Sequence, residues 1–125
     1  MVSLPTVTEA LDVTRRALRG DLDGVDVQQA WPSDAAGDVL LELVFDAVYD
    51  AAGHQPGNWR GDTDEDAWKS SRSYREALVG EAVLEAVVAG TDAETALAAF
   101  RAVVRQLPRE ADVDKIRRLV RGRIE

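Results

Sequence analysis

Apolar residues recur along this chain with a period near 3.6 and nowhere alternate with period two. That spacing lines one side of an α-helix rather than one face of a strand. Val7, Leu11, Thr14 and Leu18 share one side of a helix expected over about 7–19. A second helix, about 34–52, is the most apolar, with Val39, Leu40, Leu41, Leu43, Val44, Phe45, Ala47, Val48 and Tyr49 crowded onto it. Only a thin charged edge interrupts it, so it is expected to be the central helix. A third helical region covers about 64–89, with a break expected near Ser70–Ser73. The fourth, 92–107, places Ala93, Ala96, Leu97, Phe100, Val103, Val104 and Leu107 at i, i+3, i+4 spacing, and the last, about 112–121, presents Val113, Ile116, Leu119 and Val120.

The punctuation between these stretches supports the same division. Thr6-x-x-Glu9, Ser73-x-x-Glu76 and Thr91-x-x-Glu94 read as capping boxes, in which a hydroxyl and a carboxylate satisfy each other's backbone N–H groups. Gly20, Gly53 and Gly90 stand where helices should stop, and Pro108 ends another. Trp31, Trp68 and Tyr74 are assigned to core or rim packing. No repeat, low-complexity tract or linker divides residues 1–125. The expectation is an all-α, single-domain antiparallel bundle of about five helices, the second one central.

Composition narrows the possibilities for function. With 46% hydrophobic and 30% charged residues among 125, the chain can build a core and disorder is not expected. The absence of cysteine excludes disulfides and thiolate metal sites. The first six residues carry no basic flank and no apolar segment, so no signal peptide is expected. No apolar run approaches the roughly 18 residues a bilayer requires, and a cytoplasmic protein is expected. A net charge of −8 opposes nonspecific binding to nucleic acid. Arginine (13) far exceeds lysine (2), and aspartate (14) exceeds glutamate (9), the usage of a GC-rich or salt-adapted genome.

Catalytic options fail on inventory. His54 is the only histidine, and zinc needs three or four clustered ligands. Glu-x-x-His pairs for a di-iron centre, a G-x-S-x-G elbow, a GxGxxG turn and a phosphate-binding GxxxxGK are all missing. Asp62-x-Asp64-x-Asp66 resembles the start of a calcium loop, but Ala67 and Ser73 occupy the positions that need glycine and glutamate. No enzyme, cofactor or metal is expected.

Three features remain as candidates for binding. Asp34, Asp38, Glu42, Asp46 and Asp50 recur every four residues and wind slowly along one side of the second helix. The plainer reading is the solvated edge of a buried helix; the functional one is a docking face for a basic partner or for cations. The loop 53–62 is long for a helix connection and holds His54, Trp59 and Arg60, residue types enriched where loops make contacts. Its plainer reading is Trp59 folded back as a lid, with His54 capping the preceding helix. Finally, residues 21–66 hold twelve carboxylates against one base, a local charge of −11, whereas residues 100–125 hold eight bases against four acids, +4.

The leading expectation is a small acidic helical interaction module, an adaptor, inhibitor or accessory subunit. It would dock a protein with a basic surface through Asp38, Glu42, Asp46, Asp50, His54, Trp59 and Arg60, with a homo-oligomer as one form of this. The alternative is a nucleic-acid-associated regulator that reads the last two helices as a helix-turn-helix, using Lys115, Arg117, Arg118 and Arg121. Repulsion among the acids is expected to dominate the salt response of stability. The opposite sign would follow if the acidic and basic faces paired, within one chain or between two.

Overall fold

The computed structural model describes residues 4–20, 31, 38–53, 71–107 and 112–124. Among these the chain forms five α-helices: α1 (Leu4–Leu18), α2 (Val39–Gly53), α3 (Arg72–Val88), α4 (Ala93–Arg105) and α5 (Val113–Ile124). No strand occurs among the described residues. The fold is an all-α bundle, as the periodicity predicted. Val7, Leu11, Thr14 and Leu18 are all buried, as are Leu40, Val44 and Val48 of α2 and Ala96, Phe100 and Val103 of α4. One apolar cluster draws residues from all five helices and takes in Trp31, whose ring meets Phe45 edge-on at 5.4 Å.

The central helix is α3, not α2. It packs against each of the other four, and α2 packs against α1, α3 and α4. Ala77, Leu78, Val79, Gly80 and Glu81 are buried in succession, so every side of this turn meets protein. The reason lies in side-chain size rather than total apolarity. A Cβ built on Gly80 would stand 2.8 Å from Cγ1 of Val44, so the missing side chain is what lets α2 approach this closely. The more apolar α2 keeps Val39, Glu42, Asp46 and Asp50 on an exposed edge, and its Leu43, Phe45 and Tyr49 are only half-buried.

The helix starts shift from the expected capping boxes. α1 begins at Leu4, before Thr6, and Thr6 is buried inside it. The N-cap of α3 is Ser71, whose Oγ accepts from Tyr74 N at 3.2 Å, rather than Ser73. α4 is capped by Asp92 rather than Thr91, and α5 by Asp112, whose Oδ1 accepts from Lys115 N at 2.8 Å. In these three helices a short polar side chain takes up an N–H of the open first turn; at α4 the carboxylate competes successfully with the hydroxyl beside it. α3 ends as predicted at Gly90, with φ +120°. There Gly90 N donates to Val87 O and Thr91 N to Ala86 O, the paired closure that favours glycine. This turn folds α4 back antiparallel on α3, and the Arg72 guanidinium at the start of α3 reaches Val104 O near the end of α4.

Asp92 is exposed, and its carboxyl is held below the usual carboxylate range by bonds from the Thr95 hydroxyl and then the Thr95 N–H. A lowered folded-state pKa contributes stability that is present above the unfolded value and lost as pH falls through the folded one. Asp92→Ala should therefore lower Tm by roughly a few degrees at pH 7. The gap between the two proteins should narrow as a thermal-melt series is taken down through acid pH.

Candidate protein-docking site

The acidic stripe divides into two kinds of residue. Asp38 is the N-cap of α2: its Oδ1 accepts from Leu41 N at 3.0 Å, and its carbonyl from Glu42 N at 3.0 Å. Its carboxylate opposes the positive end of the helix, so it has a structural task that the stripe alone did not show. Glu42, Asp46 and Asp50 follow on the exposed edge of α2, and Glu42 and Asp50 each have an interaction partner. Asp34, His54, Trp59 and Arg60 lie outside the described residues, as do Trp68 and the Asp62–Asp66 segment.

The fold adds residues that the stripe does not contain. The N-terminal ends of α2 and α4 lie together, so Asp92 and Glu94 come beside Asp38. Between them runs an open groove of about 480 Å³, with Val39, Leu40, Ala93 and Leu97 also in its wall. Val39 is 45% exposed and adds an apolar surface to this acidic edge. An acidic rim over apolar side chains suits a partner that offers both a basic group and an apolar one. Asp92 and Glu94 are more than forty residues from the stripe; the sequence pattern marks Glu94 only through the Thr91-x-x-Glu94 capping box, and Asp92 not at all.

The basic end is partly used within the chain. Arg117 donates to Glu81 Oε1 at 3.0 Å. Glu81 in turn lies 4.0 Å from Arg15, which also pairs with Glu85 at 3.0 Å. This cluster joins α1, α3 and α5 around a glutamate that is otherwise among core residues. The hydrogen bond from Arg117 to Glu81 holds the guanidinium pKa above its usual value. A buried carboxylate is costly unless paired, so Arg117 is committed to the fold. All four of the candidate basic set, Lys115, Arg117, Arg118 and Arg121, are exposed, and Arg117 differs in being paired with Glu81. A second open groove of about 260 Å³ runs between α3 and α5, bordered by Glu85, Arg117 and Arg121 over Ala82, Ala86 and Val120.

No cluster of metal-ligating side chains occurs among the described residues, and no helix among them is long and apolar enough to cross a membrane. No known family model, curated protein or solved structure matches this chain.

α5 packs on α3 and α4, not on the acidic α2. Among the described residues the exposed acidic edge of α2 is therefore not covered by the basic α5. In dilute protein, raising sodium chloride from about 0.01 M to 1 M shortens the screening length from about 30 Å to about 3 Å. This should raise Tm. Most of the gain should be lost in Asp38→Asn/Glu42→Gln/Asp46→Asn, a variant in which the amide at position 38 can still cap the helix. A larger salt-induced loss in wild type than in the variant would mean that attraction between the faces dominates.

Proposed function

We propose that this chain is a non-catalytic protein-interaction module that docks a basic partner on its acidic side. The observation that carries the reading is the convergence of Asp38, Asp92 and Glu94 around Val39 and Leu97, with Glu42, Asp46 and Asp50 extending the acidic edge along α2. Exposed apolar surface framed by one sign of charge is the usual composition of a recognition patch. The 54–60 segment keeps its place in this proposal through Trp59 and Arg60, residue types that dominate interface energetics.

The test is capture from the native host after nuclease treatment, comparing Glu42→Arg/Asp46→Arg with Arg118→Glu/Arg121→Glu. The expected result is a protein captured by wild type and by the second variant but not by the first. Loss with the second variant, together with retention of wild type on heparin, would transfer the function to the basic helix and to nucleic acid. The commitment of Arg117 to Glu81 weighs against that outcome.

A further inference from the structure

The outward side of α5 carries the chemistry that the acidic groove lacks. Its inward side is Ile116 and Val120. Lys115, Arg118, Leu119 and Gly122 are all exposed and fall at i, i+3, i+4 and i+7, one stripe on the helix surface. Leu119 belongs to the apolar set expected to face the core, yet it is 38% exposed. Gly122 has an ordinary negative φ, and a Cβ there would meet nothing within 4 Å. Glycine weakens a helix relative to alanine, and no contact among the described residues requires it here; close approach by another chain would. α5 makes no extensive contact with α2, and Lys115, Arg118 and Leu119 stay exposed and outside the lining of the groove, so among the described residues the stripe does not fill the groove of its own molecule.

We infer that the outward face of α5 of one molecule docks in the Asp38–Val39–Asp92–Glu94–Leu97 groove of a second copy. Leu119 meets Val39 and Leu97, Lys115 and Arg118 meet the acidic rim, and Gly122 lets the helix lie close. The inference rests on the acidic groove being a receptor for basic partners and names that partner as the chain itself. A contact made in one direction leaves one groove and one α5 free, so the assembly grows or closes into a ring, of which a reciprocal two-fold dimer is the smallest. A single short helix in one groove is a small interface, so the association is weak, with Kd between about 1 µM and 1 mM.

The experiment is sedimentation equilibrium on the full chain at low salt, with three variants that leave every cap and every buried residue in place. Wild type should show a mass that rises with concentration to the dimer or beyond and returns to monomer in about 1 M salt. Val39→Arg/Glu94→Arg should block the groove, and Arg118→Glu/Leu119→Glu should block the helix, each weakening association about tenfold or more. Each of these two alone should be monomeric, and their equimolar mixture should form a 1:1 dimer that grows no further, because one intact groove and one intact stripe remain. Gly122→Gln should melt no lower than wild type yet associate more weakly. A wild type that stays monomeric at every concentration would overturn the inference, and the capture comparison would still decide whether the acidic side binds another protein. Association that survives both charge reversals, or a mixture that remains monomeric, would also overturn it.

Discussion

Leu84→Ala should destabilise this protein by about 2–5 kcal/mol, the range for truncating a fully enclosed leucine. The side chain is 0% exposed and lies in α3, the helix that touches all the others. A cavity there has walls from several helices and cannot be closed by moving one of them. The matched comparison is Leu43→Ala in α2, which removes the same atoms from a half-buried position and should cost less than half as much. Urea melts of the two variants would measure this, provided their m-values agree with wild type. Equal losses would mean that α2 and α3 share the centre.

The second large effect is expected at Gly80. Alanine is the better helix former by about 1 kcal/mol, so on an open surface Gly80→Ala would stabilise. Here the new methyl would stand 2.8 Å from Cγ1 and 3.4 Å from Cγ2 of Val44. Val44 is completely buried and its branched side chain has little rotamer freedom in a helix, so the helices must separate. Overpacking of this kind costs about 1–3 kcal/mol. A larger substitution such as Gly80→Leu should prevent the α2–α3 contact altogether. Val44→Ala removes the opposing methyls, so Gly80→Ala/Val44→Ala should be more stable than the sum of the single variants predicts, a coupling that a double-mutant cycle reads directly. Additivity would show that the two residues do not touch.

The sequence reading recovered the elements more fully than their arrangement. Period-3.6 apolar spacing reports which side of a helix is inward, and the buried sides of α1 and α4 follow it closely. Centrality depends instead on how near the neighbours can come, which is set by Gly80 and by small residues such as Ala77. These add little to a hydrophobicity profile, so α2 looked central and α3 did not. Capping boxes marked helix starts to within a few residues, but Thr91 and Asp92, or Ser71 and Ser73, compete for one role, and only backbone geometry selects Asp92 and Ser71. The candidate site was half legible. Four-residue spacing exposed Asp38, Glu42, Asp46 and Asp50, whereas the join to Asp92 and Glu94 is a tertiary contact that no local pattern encodes. The run of bases near the C-terminus was equally visible, but not that Arg117 is paired with Glu81.

Photo-crosslinking from position 39 in the native host tests the central claim most directly. A photoreactive amino acid replaces Val39, which is exposed at the groove; the same probe at Asp12, exposed on α1, serves as the control. If the groove docks a basic protein, the probe at 39 should form a discrete protein adduct whose cross-linked peptide is rich in arginine or lysine, and the probe at 12 should not. Equal labelling from both positions, or an adduct to nucleic acid that forms only when the probe replaces Arg118, would contradict the account.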